Sequence, residues 1–293
     1  MINPLGVFAK TFRRDTLEAN LDAVRGAGFD CVQYNLACAG LPTLPDAIDD
    51  QICARIREAH QSRQLTMAAI SGTFNIIDDD AERRQANFGR LRVLATACRQ
   101  LGTSVITLCT GTRDPHNMWR GHPENRSPGA WQDMFVAMRD AVRIGEQAGV
   151  TMAIEPEVNN VVDSARQARR LLDEIDSPFL KVVMDAANLF PSGELARMHD
   201  LMDEAFDLLG EDIVVAHAKD LSRDGDAGHE AAGTGLLDYD HYLRLLRDCG
   251  FQGPLVTHSL QESQVEQCVR FLRDKMREVD VLPRTGSRGP SDG

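Results

Sequence analysis

The segment 180-LKVVMD-185 is a short apolar run that ends in a carboxylate. Three further runs in the second half of the chain have the same form, and they end in Glu155, His217 and His258. Residues that end different strands meet in space only where those strands lie side by side and parallel. A (β/α)8 barrel arranges its strands in this way and places such residues at its C-terminal mouth, where barrel enzymes carry out their chemistry. Each residue could instead close a strand or cap a helix, but four in succession favour a shared site.

Short apolar runs alternate with amphipathic segments along the whole chain. The runs are continuous and rich in Val and Ile, which is typical of strands buried on both faces. We predict eight strands, at Leu5–Ala9, Cys31–Asn35, Thr66–Ser71, Val105–Thr110, Thr151–Glu155, Lys181–Asp185, Ile213–His217 and Pro254–His258. We predict eight helices, the first after a capping pair of Asp15 and Glu18 and the others at Asp46–Ser62, Asp80–Leu101, Gly129–Ala148, Asp163–Ile175, Ala196–Leu209, Asp238–Cys249 and Gln261–Val279.

This alternation predicts the fold class, which is α/β with a single (β/α)8 TIM barrel. The length of 293 residues is ordinary for one barrel of roughly 250 residues, and no linker divides the chain. We assign residues 1–280 to the barrel and residues 281–293, which are rich in Gly, Pro and Ser, to a disordered tail. A doubly wound open sheet is the alternative, but no GxGxxG motif follows the first strand, which weakens a dinucleotide-binding interpretation.

The composition narrows the class of partner. A net charge of −12 argues against nucleic acid, because phosphate neutralisation needs a basic face. The seven cysteines are scattered without a CxxC pair, which is typical of reduced cysteines in the cytoplasm rather than of a disulfide framework. The amino terminus lacks the apolar stretch of a signal peptide, and no run approaches the length of a membrane span. We therefore expect a soluble cytoplasmic protein that acts on a small molecule.

Two connections are unusually long, and both follow the C-terminal ends of strands. They comprise residues 111–128 and 221–237. Loops of this length in a compact domain are usually lids or binding loops, so we expect both to overhang the mouth. Trp119 in the first loop could stack on a ligand or shield the site from water. Lys10 after the first strand and Asn75 after the third are further candidates for the lining of a pocket.

The strand ends also carry polar residues next to the four candidate ligands. Glu157 follows Glu155 by two positions, and in an extended segment both would point to the same side. One could then bind a metal while the other accepts a proton. Pro156 weakens this argument because it breaks the strand, and Glu157 could equally be a solvated loop charge.

The next two strand ends allow similar alternatives. Asn188 follows Asp185 by three positions, and Asp185 could either bind a metal or cap a short helix. Lys219 and Asp220 follow His217. Lys219 could hold an anionic or hydroxyl-rich substrate, or the two charges could pair with neighbours.

Several of these motifs together resemble the xylose isomerase-like TIM barrels. The motifs are IEPE, MDAANL, AHAKD, GTGLLD and GPLVTHSLQE, and the resemblance covers about residues 4–278. That group contains sugar isomerases, sugar epimerases and, more remotely, endonuclease IV. ISGTFN and TLCTGTRDPHNMW suggest its sugar phosphate isomerase/epimerase branch. Endonuclease IV-like DNA repair is disfavoured by the acidity and by too few histidine ligands.

The resemblance implies a divalent metal ion, such as Mn²⁺, Mg²⁺, Co²⁺ or Zn²⁺, held by Glu, Asp, His and a final Glu from strands five to eight. Glu155, Asp185 and His217 match the first three. The resemblance also implies that a proton moves between adjacent carbons of the substrate through an enediolate.

The sequence departs from this pattern at two positions. Asn188 stands where the family more often has His. His258 stands where the eighth strand should end in Glu, and Glu262 follows four residues later. His258 can bind a metal or act as a base near neutral pH, but it cannot supply the charge of a carboxylate. Glu262 could reach back into the mouth or simply complement a helix dipole.

We therefore predict a metal-dependent isomerase or epimerase of a small sugar, sugar phosphate or related hydroxycarbonyl compound. Glu155 and His258 would transfer protons, and Glu155, Asp185, His217 and His258 would hold the metal. The predicted substrate-binding residues are Lys219, Asn188, Glu157, Glu262, Trp119, Asn75 and Lys10. A lyase or dehydratase on the same scaffold and a catalytically silent sugar-binding barrel are the alternatives. Homo-oligomers are common among such barrels, but the sequence contains no recognisable interface.

Overall fold

Eight parallel strands close into a barrel in the computed structural model, which describes residues 3–281. Neighbouring strands pair in parallel register all the way round, and the circle closes where Asp185 pairs with His217. The strands that form the barrel are β1 (Leu5–Phe8), β2 (Cys31–Tyr34), β3 (Thr66–Ser71), β4 (Val105–Leu108), β5 (Thr151–Ile154), β6 (Leu180–Asp185), β7 (Ile213–Asp220) and β9 (Leu255–Thr257). The predicted fold is confirmed.

A helix follows each barrel strand and packs on the outside. The helices are α1 (Leu17–Gly26), α2 (Asp50–Ser62), α3 (Ala81–Leu101), α4 (Pro128–Ala148), α5 (Ala165–Ile175), α6 (Met198–Leu209), α7 (Tyr239–Asp248) and α8 (Val265–Val281). All eight begin within four residues of the predicted position, and a short 3-10 helix at Glu262–Gln264 precedes α8. The cap of α1 differs from the prediction, since the Thr16 hydroxyl rather than Asp15 accepts from the amide of Ala19.

The interior of the barrel is filled by small side chains. Ala69, Ala153, Val183, Val215 and Val256 form a separate apolar cluster that is fully buried. They come from five different strands and point inward, whereas the larger apolar side chains fill the layer between strands and helices. The centre of the barrel is therefore a packed core rather than a pore. The polar residues at the strand ends lie above it, at the mouth.

The seventh strand is longer than predicted, and its end organises the second long loop. β7 continues through Lys219 to Asp220, where it pairs with a two-residue antiparallel strand, β8 (Glu230–Ala231). The buried carboxylate of Asp220 accepts from the backbone amides of Leu221, Gly233 and Leu237 at 2.9–3.0 Å. Asp220 therefore has a structural role: it folds residues 221–237 over the mouth.

The described residues contain no helix that is both long and apolar enough to cross a membrane. The tail predicted at 281–293 lies, except for Val281 at the end of α8, outside the described residues.

Candidate metal centre

Four side chains from four neighbouring strand ends converge at the mouth. Each of Glu155, Asp185, His217 and His258 offers one ligand atom, and these atoms all lie within 4.8 Å of one another. Asp185 and His217 are fully buried, while Glu155 and His258 are partly exposed toward the mouth. Two carboxylates and two imidazoles are a donor set that suits Zn²⁺ and the neighbouring first-row divalent ions. The register of parallel strands is what brings them together.

The orientation of His217 is set by a hydrogen bond on the far side of its ring. The amide nitrogen of Gln33 donates to the hydroxyl of Thr107 at 3.0 Å, so the amide oxygen of Gln33 faces His217 Nε2 at 2.8 Å. Nε2 therefore carries the proton and donates it. Nδ1 is left as a buried atom without a hydrogen-bond partner, 3.4 Å from a carboxylate oxygen of Glu155 and 3.6 Å from one of Asp185.

This arrangement fits a cation. The ring nitrogen and two carboxylate oxygens face one another in a buried space, and a positive charge among them, either a proton on Nδ1 or a bound cation, makes the contact favourable. A hydrogen bond from the far nitrogen of a ligating histidine is the usual way in which proteins orient such a ring toward a metal ion. The observation on His217 Nδ1 thus supports a metal at this position more specifically than the residue types alone.

The two carboxylates also attract a proton to His217, as its pKa shows. Burial lowers the pKa of His217, but the neighbouring Glu155 and Asp185 carboxylates outweigh it and raise the pKa to about 9. Burial would raise the pKa of Asp185, yet Lys219 and the two histidines hold that pKa well below its usual range. Burial would also raise the pKa of Glu155, but His217 and Lys219 hold that pKa below its usual value, so both carboxylates are ionised at neutral pH.

We expect the affinity for a divalent ion to rise with pH up to about 9. Because the pKa of His217 is raised to about 9, a proton occupies Nδ1 below that pH and must leave when the metal binds. Affinity should therefore increase about tenfold per pH unit between pH 6 and 8. Calorimetry in two buffers of different ionisation enthalpy measures the proton released. An affinity that does not change over this range would contradict the assignment of Nδ1 as a ligand.

We also expect Gln33→Leu to weaken Zn²⁺ binding by about 10–100-fold, the usual effect of losing an outer hydrogen-bond partner of a ligating histidine. The substitution leaves the Nε2 proton without an acceptor and frees the ring to rotate or change tautomer. Competition with a chromophoric chelator measures the affinity. Gln85→Leu, at an exposed position of α3, is the matched control and should bind Zn²⁺ like the wild type; equal affinities in the two variants would contradict the orienting role of Gln33.

A buried lysine and asparagine support the carboxylates from behind. Lys219 Nζ lies 3.1 Å from Asp185 Oδ2 and donates to Asn188 Oδ1 at 2.7 Å. The amide nitrogen of Asn188 donates to Glu155 Oε1 at 2.6 Å, and its oxygen also accepts from the amide of Gly228 at 2.9 Å. Asn188 thus uses both ends of its side chain to hold Glu155, Lys219 and the second long loop in fixed positions.

The close approach at Gly228 depends on its lack of a side chain. A Cβ at this position would lie 2.5 Å from Ala187 Cβ and 2.8 Å from Lys219 Cε. Glycine therefore lets the loop descend onto the buried lysine and closes that side of the site.

His258 occupies the fourth position on a constrained backbone. Its ring stacks on Phe8 with centroids 4.4 Å apart, and Nε2 lies 3.1 Å from Asp185 Oδ2. Ser259 adopts the left-handed region at φ 58°, and its hydroxyl lies 3.3 Å from His258 Nδ1. A hydroxyl can donate or accept, so it is compatible with either tautomer of the ring. Burial and the nearby charge of Lys219 lower the pKa of His258 to about 4, so the ring is neutral at physiological pH.

The cluster forms part of the wall of a polar cavity of about 460 Å³. This volume is within the range of small-molecule sites. The side chain of Glu157 reaches the cavity although it is only 6% exposed, and its Oε1 has no hydrogen-bond partner. The remaining lining combines hydroxyls, amides, the aromatic rings of Phe8 and Trp119, and few charges. It comprises Phe8, Lys10, Gln33, Asn35, Thr43, Ser71, Thr73, Thr107, Leu108, Cys109, Trp119, Glu155, Asn159, Lys219, Asp226, Ala227, Gly228, His258 and Ser259.

Comparison with known proteins identifies the family. Residues 21–275 match the family model described as "Xylose isomerase-like TIM barrel". The chain belongs to this family. No curated protein sequence matches it.

Solved structures of low sequence identity share the whole barrel. A D-tagatose 3-epimerase-like protein has a TM-score of 0.73 at 15% identity, over 94% of this chain and 98% of its own. The 3-keto-D-glucoside 4-epimerase of E. coli has a TM-score of 0.71 at 16% identity, over 93% and 100% of the two chains. The IOLI protein, solved with a zinc atom bound, has a TM-score of 0.72 at 15% identity, over 95% and 100%. At such identities the likeness establishes the fold.

Within this xylose isomerase-like barrel, most of the predicted substrate-binding residues lie at the cavity. Lys10, Glu157 and Lys219 line it, and Trp119 overhangs it with 53% of its surface exposed. Asn188 is an exception, because its side chain is fully buried behind Glu155 and has no free polar atom to offer a ligand.

Two other predicted residues lie elsewhere. The side chain of Asn75 pairs with the backbone of Thr112 and faces a neighbouring cavity, so it shapes the first long loop. Glu262 is 45% exposed and forms an ion pair with Arg14 at 2.6 Å. It does not line the cavity, because α8 and the short 3-10 helix before it carry Glu262 to the outer rim. The expectation that Glu262 reaches into the mouth is therefore corrected.

Several residues that shape the site were not predicted from the sequence. Gln33 orients His217, Phe8 supports His258, and Asn159 joins the two long loops by donating to Trp119 O at 3.3 Å and Asp226 Oδ1 at 2.8 Å. A polar Gln inside the second apolar run was the one available signal, since buried polar side chains require partners. The roles of Phe8 and Asn159 depend on contacts between distant segments, and no local sequence pattern indicates them.

Proposed function

We propose that this protein is a metal-assisted isomerase or epimerase of a small, uncharged sugar or related polyhydroxylated carbonyl compound. The observation that carries the proposal is the convergence of Glu155, Asp185, His217 and His258, of which Glu155 and His258 line a polar cavity. The epimerase and epimerase-like protein among the structural neighbours, and the zinc atom bound in the IOLI protein, support it. The expected setting is the cytoplasm.

The four ligands would hold the metal ion. When bound, such an ion polarises a carbonyl oxygen and makes the hydrogen on the adjacent carbon more acidic. The two imidazoles favour Zn²⁺, Co²⁺ or Mn²⁺ over Mg²⁺, which prefers oxygen ligands.

Glu155 is the proposed base. Its Oε1 is held by Asn188, whereas Oε2 makes no hydrogen bond within the described residues and belongs to a side chain that reaches the cavity. Burial would raise the pKa of Glu155, but His217 and Lys219 hold that pKa below its usual value, so the group is ionised and ready to accept a proton. The neutral ring of His258 is the second group positioned to carry a proton.

Glu157 is the proposed partner of a substrate hydroxyl. A buried carboxyl oxygen without a hydrogen-bond partner is costly, and Oε1 of Glu157 is such an atom at the cavity wall. A hydroxyl of a bound sugar would satisfy it. Burial and the charge of Glu155 raise the pKa of Glu157 to about 8, so it also has a proton to donate to an oxygen acceptor.

The charges around the cavity favour an uncharged sugar over a sugar phosphate. Lys219 is committed to Asp185 and Asn188. Lys10 is the remaining lysine or arginine in the lining, which also contains three acidic residues, Glu155, Glu157 and Asp226. Phosphate recognition depends on several charge-assisted donors, and the described lining does not provide them.

Exchange of hydrogen with solvent tests the proposal. The protein loaded with Mn²⁺, Co²⁺ or Zn²⁺ is incubated in D₂O with a panel of aldoses and ketoses, and NMR follows deuterium at the carbon next to the carbonyl. An isomerase or epimerase incorporates deuterium or interconverts two sugars, and EDTA abolishes both. A lyase or dehydratase, which shares the enolate chemistry, yields an unsaturated product instead.

A catalytically silent sugar-binding barrel is the second candidate, and His258 in place of a glutamate is the observation that favours it. Sugar binding without exchange under any of the three metals would establish that candidate and overturn the enzymatic proposal.

A further inference from the structure

A second cavity of about 420 Å³ opens on the same face of the barrel. The loops that follow β2, β3 and β4 form its wall. Its lining includes Leu44, Phe74, Asn87, His116 and Met118. None of the residues assigned to the metal centre belongs to it, so the proposed chemistry leaves this cavity unexplained.

The two cavities are contiguous. Thr43 and Thr73 line both of them, and consecutive residues of the first long loop, Met118 and Trp119, line the second and the first respectively. The hydroxyl of Thr73 makes no hydrogen bond within the described residues, so it is free to meet a ligand. A molecule bound beside Glu155 can therefore extend past the two threonines into the second cavity.

The second cavity offers no free charge to an anion. Arg83 pairs with Asp78 at 2.5 Å, and Arg113 pairs with Asp79 and Asp133. A phosphate or carboxylate would have to displace these partners. The lining instead combines apolar surface from Leu44, Phe74 and Met118 with the polar side chains of Thr73, Asn87 and His116. Apolar faces with a few polar groups suit a sugar ring, which presents C–H groups and hydroxyls.

We propose that the second cavity is a subsite for a second, uncharged ring, so that the substrate is a glycoside or disaccharide rather than a free monosaccharide. The reacting sugar lies in the first cavity and its glycosyl substituent in the second, joined across Thr43 and Thr73. This inference rests on the proposed function, because it assumes that the first cavity holds a sugar.

Affinities for matched sugars test the subsite. Calorimetry with Mn²⁺ present compares D-glucose with maltose, and D-fructose with turanose, maltulose and isomaltulose, which carry glucose on O3, O4 or O6. Two variants of α3 accompany the wild type. Asn87→Trp places a large side chain in the second cavity, whereas Gln85→Trp places the same side chain at an exposed position of the same helix that does not line it.

We expect at least one disaccharide to bind tenfold or more tightly than its parent monosaccharide. Asn87→Trp should remove that gain and leave monosaccharide affinity within twofold, and Gln85→Trp should change neither. Monosaccharide binding without any gain from a second ring, or a gain that survives in Asn87→Trp, would overturn the subsite and leave the proposed function intact. If none of the sugars binds, the first cavity is not a sugar-binding site, and both this proposal and the proposed function are wrong.

Discussion

Asp185→Asn is expected to abolish stoichiometric binding of a divalent ion and to destabilise the metal-free protein. Asp185 is fully buried, and its Oδ2 meets both Lys219 Nζ and His258 Nε2 at 3.1 Å. Asparagine retains the hydrogen bond from the amide of Ala187 that caps the following turn, so the change removes charge rather than the cap. Breaking a buried ion pair leaves the partner uncompensated and costs about 3–5 kcal/mol.

Urea unfolding in EDTA measures the loss of stability, and chelator competition measures the metal affinity. We expect affinity to fall by more than about 100-fold, since the loss of an outer partner alone costs about 10–100-fold. Asp212→Asn is the matched control, because Asp212 also pairs with Lys181 and Arg169 but lies before the start of β7, at the opposite end of the barrel. It should leave metal affinity unchanged. Equal metal affinity in the two variants would contradict the role of Asp185.

Glu155→Gln is expected to reduce the rate of solvent hydrogen exchange in the substrate by about 10²–10⁴-fold, the usual contribution of a positioned acid–base group. Glutamine keeps the size of the side chain and an oxygen to accept from Asn188, but it cannot accept a proton from carbon. Deuterium incorporation at saturating metal and substrate isolates this loss from any weakening of metal affinity.

The same substitution at Glu262 distinguishes the structure from the sequence-based expectation. Glu262 lies at the outer rim with Arg14, so Glu262→Gln should leave the exchange rate within twofold. A large loss in Glu262→Gln, or a small one in Glu155→Gln, would contradict the assignment of the base.

The barrel and the convergence of the four candidate metal ligands were predictable because both follow from local patterns. Parallel strands buried on both faces appear as continuous apolar runs, and the residue that ends each run is placed at the mouth by the fold itself. Asp185 and His217 are register partners across the β6–β7 pair, so two strand ends identified separately in the sequence are adjacent in space.

The side chains that hold these candidate ligands in place could not be predicted in the same way. Asn188 could be seen as a polar residue near the site, but its fully satisfied hydrogen bonds depend on Lys219 and on Gly228, 40 residues away. The reach of Glu262 was misjudged because the direction of a helix that follows a strand is set by packing, not by the number of intervening residues. The number of residues between a strand and a following residue predicts which strand end that residue lies near, but not whether its side chain points into the mouth.

The metal content of the purified protein, measured beside His258→Ala, is the decisive test of the metal centre. The protein is dialysed against Zn²⁺ or Mn²⁺, freed of loosely bound ions and submitted to elemental analysis. The convergence of four ligand atoms within 4.8 Å predicts about one divalent ion per chain in the wild type and a clear loss in His258→Ala. A wild-type protein that retains no metal after either dialysis would contradict the metal centre and the isomerase mechanism built on it.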